Sequence, residues 1–222
     1  MKAAPDSTPR RRRARRGEGD RLREEILAAA TALLLEHGDE DAVAIRAVAD
    51  AVGVTTPSIY RHFADKTDLF FAVCEVHFAL FAQEMAVACA GITDPIERLR
   101  ARGRAYIAFG LRQPEHYRIL FMHKPHEAPA RVDMQQVLTD GGFGDLMEDV
   151  QAAIAGGQLR GDDPLVAAMA LWAGAHGLTS LLISHPKLGW PPQEQLVSEL
   201  LDALLRGLAA RAHVAEGGSA SG

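Results

Sequence analysis

The chain has 222 residues, 48% of them apolar, with 24 basic and 29 acidic side chains and a net charge of −5. That length holds one large domain or two small ones, and the acidic total excludes a molecule that grips polyanions over its whole surface. The charge is uneven: residues 1–23 carry nine basic and three acidic side chains, a net of +6, so the rest of the chain stands at −11.

Residues 1–19, rich in Pro, Arg, Ser and Gly, read as a disordered basic arm. Two readings fit it: contact with nucleic acid or another anionic surface, or a solubilising tail. A first amphipathic helix follows, with Leu22, Ile26, Ala29, Ala30, Leu33 and Leu34 on one face and a stop at His37-Gly38. Two short helical pieces are expected at 45–52 and 56–62, then a long helix over 66–90 that Gly91 ends. The two cysteines, Cys74 and Cys89, fall in that helix. Fifteen residues of helix separate them by roughly 22 Å, too far for a disulfide, which fits a reducing compartment.

Asp94-Pro95 opens the next helix as N-cap and first-turn proline, and Gln113-Pro114 begins a short one. Residues 123–131 read as a loop, with helices expected near 132–138 and 143–155. A Gly156-Gly157 break precedes helices at 164–184 and 193–211, and residues 213–222 form a flexible tail. No alternating strand pattern is visible, so the fold class is all-α. No apolar run of about 18 residues predicts a membrane span, and no apolar stretch follows the N-terminal arginines as a signal peptide requires. The expected location is cytoplasmic.

The informative stretch runs from Ala44 to Lys66, AIRAVADAVGVTTPSIYRHFADK. Val48, Ala49 and Val52 form the inner face of one helix. Ala49 is small enough for a second helix to cross closely, and Gly53 sits where the chain turns sharply. Val54 plugs the turn, Thr55 or Thr56 caps the next helix, and Pro57 lies in its first turn. With Ile59 and Phe63 facing inward, Thr55, Thr56, Ser58, Tyr60, Arg61 and His62 are left outside. Such side chains suit the floor and walls of a major groove. Arg46 is placed to reach a guanine edge or a phosphate, and Lys66 a phosphate.

This pattern, with VADAVGVTTPSIYRHFADKTDLF at its centre, resembles the DNA-binding domain of the tetracycline-repressor (TetR) family over about Leu22 to Phe70. The resemblance implies an N-terminal three-helix helix-turn-helix domain (20–66) and a C-terminal helical domain (67–212) that binds an effector and dimerises. It implies that Arg46, Thr55, Thr56, Pro57, Ser58 and Tyr60 touch base edges or the adjacent backbone, while Tyr60, His62 and Lys66 grip phosphates. It also favours a minor-groove contact for the arginine arm. One departure is Ala44, where the family usually has Thr or Ser; Asp41 is a substitute cap if that helix starts earlier.

The resemblance weakens beyond residue 90, although the order of helices matches. The closing pair resembles a four-helix dimer interface, here with Leu165, Met169, Leu171, Trp172, Leu178, Leu181, Leu182, Leu196, Val197, Leu200, Leu201, Leu204 and Leu208. Trp172, His176 and Gly177 resemble a subclass with a Trp…His-Gly pattern; His176 reads equally well as a pocket or a core residue. Phe81, Met85, Tyr106, Phe109, Tyr117, Phe121, Met122, Phe143, Met147 and Trp172 are candidates for a lipophilic pocket, against the alternative that they are simply core. Arg104 and His116 are its candidate polar anchors.

His123, His126 and Glu127 lie in an expected loop without further ligands, and Gly141-Gly142-x-Gly144 lacks a preceding strand. The expected protein is therefore not an enzyme and needs no metal or cofactor. Its expected partners are a double-stranded operator, a second copy of itself and a small effector, with no membrane.

Overall fold

A computed structural model describes residues 18–38, 40–122, 139–161 and 163–210. The arginine run, the loop at 123–131, the expected helix at 132–138 and the terminal tail lie outside the described residues. Helices are α1 (Glu18–His37), α2 (Ile45–Val52), α3 (Thr56–Ile59), α4 (Lys66–Cys89), α5 (Pro95–Arg112), α6 (Pro114–Phe121), α7 (Gly144–Ala155), α8 (Pro164–Ser184) and α9 (Gln193–Leu208). A single π turn, Thr139–Phe143, leads into α7. Among the described residues the only extended pairing is one bridge between Leu159 and Ala209. The last helix ends at Leu208, short of the expected 211, because Ala209 and Ala210 turn to this pairing: Ala210 N–H donates to the Gln158 carbonyl (3.1 Å).

The packing divides into two compact units. The first contains α1 to α3, α4 as far as Ala82, and α6. Its core joins Ile26, Ala30 and Leu34 of α1 to Val43, Ile45, Val48, Ala49, Ile59, Phe63, Leu69, Phe70 and Val73, with Ile119 of α6. The α1 residues recur every four positions, the spacing that lines one helical face. α2 ends in a Schellman turn: Val54 N–H reaches the Ala49 carbonyl (2.9 Å) and Gly53 N–H the Asp50 carbonyl (3.2 Å). Gly53 has φ 75°, where a side chain is strained. The start of α4 is clamped reciprocally, with Asp68 N–H donating to Asp65 Oδ1 (2.8 Å) and Ala64 N–H to Asp68 Oδ2 (2.7 Å).

In the same unit three helices meet at a histidine pair. His77 Nε2 of α4 lies 3.2 Å from Thr31 Oγ1 of α1, and the His116 ring of α6 stands edge-on to His77 at 5.0 Å. Beside them Phe121 contacts Phe78, Phe81 and Tyr117 at ring separations of 5.6, 5.4 and 5.0 Å.

The second unit contains the end of α4 with α5, α7, α8 and α9. Asp94 caps α5 through Glu97 N–H (3.0 Å) and also accepts from Gln158 (2.8 Å), while Asp163 caps α8 through Leu165 N–H (2.9 Å). An apolar core of Leu99, Val150, Ala153, Leu159, Ala167, Ala168, Leu171 and Leu205 surrounds a charged centre. There Arg102 donates to Asp149 through Nε and Nη2 (3.1 and 2.9 Å) and to Asp145 (3.2 Å), and Arg98 also pairs with Asp149. α9 approaches its neighbours closely because glycines make room: a Cβ on Gly103 or Gly174 would lie 2.5 Å from Leu201 or Leu204 respectively.

α4 and α8 are each long and apolar enough to cross a membrane by length and composition, contrary to the sequence expectation. In the fold 33% of the apolar stretch of α4 and 44% of that of α8 are buried.

Two outcomes follow from these contacts. Gly53→Ala should lower stability by about 1–2 kcal/mol, read by urea unfolding, because its Cβ meets open space and only the left-handed backbone is strained. Burial, and for His77 also the charge of His116, hold both rings below their ordinary pKa of 6.5. The unfolded chain regains that value and binds protons at higher pH than the folded one. Stability should therefore be complete above pH 6.5 and fall as the pH drops below it. Comparing urea midpoints at about pH 7.5 and about pH 5.5 checks this, and a His77→Gln/His116→Gln double variant should lose less on acidification.

Candidate nucleic-acid interface and effector core

The first unit sets a polar surface on a buried frame. Ile59 and Phe63 are fully or almost fully buried and anchor the short segment that carries the candidate DNA-contacting groups. Thr55, Pro57, Tyr60 and Arg61 are exposed, and Thr56 and His62 are half-buried. Arg46 projects from α2 with its side chain 87% exposed, and Asp50 lies 3.8 Å away at i+4. A pair this exposed contributes little and leaves the guanidinium available to another anion.

Three local expectations need correction. The helix after the turn stops at Ile59 rather than 62, because the Ile59 carbonyl accepts from both His62 (2.9 Å) and Phe63 (3.1 Å) in a tighter turn that sends Phe63 inward. Ser58 is not outside: it is 8% exposed, and its Oγ lies 3.0 Å from Thr55 Oγ1 and accepts from Arg61 Nη2 (2.9 Å). Thr55 occupies the N-cap position of α3, but its hydroxyl turns to Ser58 and makes no capping bond to the backbone.

α2 starts after Ala44 with no side-chain cap, so Asp41 does not substitute there. Asp41 instead meets Lys66, whose Nζ is 4.0 Å from its carboxylate and 3.5 Å from its carbonyl. The Lys66 ammonium also lies 5.9 Å from the Phe70 ring centre. This holds Lys66 at the start of α4, beside the loop before α2. Arg23 of α1 lies over the Phe63 ring at 5.2 Å. The sequence reading assigned it no role, since a cation–π contact has no signature in one-dimensional spacing.

The candidate pocket residues fall into two groups, one inside each unit. Phe81, Tyr117 and Phe121 belong to the aromatic cluster of the first unit, next to His116, and Met122 is 36% exposed at the end of α6. Met85, Tyr106, Phe109, Phe143, Met147, Trp172 and His176 belong to the second unit. There Tyr106 Oη accepts from Trp172 Nε1 (3.3 Å) and lies 3.2 Å from His176 Nδ1. Phe143 stands edge-on to Trp172 at 6.2 Å. Burial lowers the His176 pKa, so this ring is neutral at physiological pH. Met85 and Phe109 are buried, and Met147 packs against the apolar core. Arg104 is exposed and donates to Ser198 Oγ (3.2 Å), so it is no anchor inside an apolar site.

The closing helices also sort differently from the expectation. Leu171, Leu178, Leu182, Val197 and Leu201 are buried against their own chain. The outward face of α8 is instead Leu165, Val166, Met169 and Leu181, with relative exposures of 48, 66, 45 and 50%. Val166 was absent from the sequence reading.

The charged centre of the second unit was also missed. Its signal was present in the sequence: Arg98 and Arg102, and Asp145 and Asp149, are both i, i+4 pairs of one sign. Among the described residues no cluster of three His, Cys, Asp or Glu is placed to hold a metal.

Known proteins align with both parts. Residues 26–73 match the family described as bacterial regulatory proteins, tetR family, and residues 99–208 match the tetracyclin repressor-like C-terminal domain. The HTH-type transcriptional activator FasR of Mycolicibacterium smegmatis is 32% identical over 110 residues, which is 50% of this chain and 50% of FasR. The chain thus spans about half the length of this relative. A solved protein of unknown function from Rhodococcus sp. RHA1 superposes with a TM-score of 0.71 at 27% identity, covering 85% of this chain and 95% of that one. AibR, solved in complex with isovaleryl coenzyme A and operator DNA, superposes with a TM-score of 0.59 at 22% identity, covering 86% of this chain and all of that one (100%). An all-helical chain with a helix-turn-helix frame, matched at both ends by one family's domains, belongs to the tetR family of bacterial regulatory proteins.

Proposed function

We propose that the protein is a transcriptional repressor that binds a palindromic operator as a homodimer and is released by a small lipophilic effector. Residues 20–66 bind DNA, and residues 67–212 hold the effector and the dimer contact. The observation that carries this reading is the exposed set Arg46, Thr55, Pro57, Tyr60 and Arg61 on a buried frame of Val48, Ala49, Ile59 and Phe63. Polar and aromatic groups held rigidly at a helix-turn-helix surface match what the major groove offers. The arginine arm adds phosphate or minor-groove contacts, and the protein works in the cytoplasm, where its operator is.

The dimer contact runs along Leu165, Val166, Met169 and Leu181, apolar groups that one helix rarely leaves exposed without a partner. The effector binds among Tyr106, Phe143, Met147, Trp172 and His176, where aromatic and thioether surface surrounds a few polar atoms. AibR, of similar fold, is solved with isovaleryl coenzyme A and operator DNA, which supports a small-molecule site and a DNA surface on one chain. Effector binding then shifts the protein toward a conformer with weaker operator affinity, which requires different affinity for the two conformers. One observation favours a second reading: FasR is named an activator, and activation uses the same DNA surface. A reporter driven through the selected operator separates the two by the sign of its response.

Selection from a random DNA pool should return an inverted repeat, and the wild-type affinity should fall steeply with salt. Lys66→Ala should weaken all sequences about equally and reduce the salt slope by about 1. An unchanged slope would place Lys66 off the phosphates. Leu181→Glu should convert the dimer to a folded monomer in sedimentation and lower operator affinity at least about tenfold. A dimer that survives this charge would move the interface elsewhere.

A further inference from the structure

Thr55, Ser58 and Arg61 stand three residues apart along the recognition segment and form one hydrogen-bonded chain. Arg61 Nη2 donates to Ser58 Oγ (2.9 Å), and Ser58 Oγ lies 3.0 Å from Thr55 Oγ1. Both ends are exposed, and the middle is buried at 8%. A guanidinium has no acceptor, so Ser58 Oγ accepts from Arg61. Its own proton is then free to go to Thr55 Oγ1, which leaves the Thr55 hydroxyl proton for an acceptor on the exposed side. In this arrangement Ser58 has no proton left to donate to DNA, and its burial keeps its remaining lone pair from a base edge.

We infer that Ser58 is a positioning residue that holds Arg61 as a guanine-reading fork and ties it to a phosphate donor at Thr55. This rests on the DNA-binding reading proposed above. One Arg61 N–H serves the tether, and the remaining donors of the fork suit the O6 and N7 acceptors of guanine. An untethered arginine loses much rotamer freedom on docking. Ser58 removes part of that loss before DNA arrives, so the benefit goes to whichever base accepts the preset geometry. Specificity at this position then depends on a residue that touches no nucleotide.

The test is DNA selection from a random pool, with affinities then measured on the selected operator and its single-base variants, for the wild type, Ser58→Ala and Arg61→Ala. Relative base preference is the readout because it does not depend on how much of a variant is folded. The wild type should prefer guanine at one position of each half-site by about tenfold or more. Arg61→Ala should abolish that preference. Ser58→Ala should reduce it at the same position to within about threefold and leave the preferences at other positions in place. Three results overturn the inference while leaving DNA binding intact. Ser58→Ala changing a different position from Arg61→Ala makes Ser58 a reader itself. Ser58→Ala weakening all sequences equally makes it only structural. Arg61→Ala weakening all sequences equally makes Arg61 a phosphate contact. A wild type that selects no sequence removes the DNA-binding reading, and this inference falls with it.

Discussion

The candidate DNA-contacting surface depends on the burial of Ile59 and Phe63, because the helix between them and the turn is a single turn long. A four-residue helix has almost no stability of its own, since nucleation costs more than one hydrogen bond returns. Its position is therefore imposed from outside. Behind it, Gly53 and Val54 close α2 in a Schellman turn. Ahead of it, the Asp65–Asp68 clamp starts α4. Between these points the two apolar side chains insert into a core built by α1, α2 and α4. The exposed groups from Thr55 to Arg61 inherit their positions from this frame.

α6 ties the first unit together at a distance in sequence. It comes after α5, yet its Ile119 joins the core of the DNA-binding helices and its His116 meets His77 and, through it, Thr31 of α1. α6 thus packs on the same core as the helices that carry the segment from Thr55 to Arg61. Burial holds both rings below their ordinary pKa, and a charge on His116 would further disfavour one on His77.

The second unit keeps its register by a different device. Asp149 and Arg102 are almost wholly buried, and their bonds join α5 to α7 in one arrangement. A buried pair of this kind stabilises little beyond what apolar packing would, but loss of Arg102 leaves Asp149 with Arg98 alone, and loss of Asp149 leaves Arg102 with Asp145 alone. The glycines at 103 and 174 give Leu201 and Leu204 of α9 room in their present positions, since a Cβ at either would force the leucine to shift. A buried charged centre and two close glycine–leucine contacts define how these helices align, while the apolar residues supply most of the cohesion.

Much of this was legible in the residues alone. Helical periodicity places nearly every described helix, and the cap Asp94 and the turn at Gly53 act locally, where one stretch of sequence is enough. The motif from Ala44 to Lys66 likewise contains its own turn and inner face. What only the tertiary structure decided depends on partners distant in the chain. The apolar residues of the closing helices all look alike in sequence. Packing alone turned Leu171, Leu178 and Leu201 inward and left Val166 and Leu181 outside. The candidate pocket residues separated into two groups because α6 packs with the first unit. Ser58 reads as an exposed hydroxyl until the guanidinium of Arg61 and the hydroxyl of Thr55 are seen on either side of it. Periodicity reports which face of a helix is apolar; it carries no information on which neighbour covers that face or where a long side chain finds its acceptor.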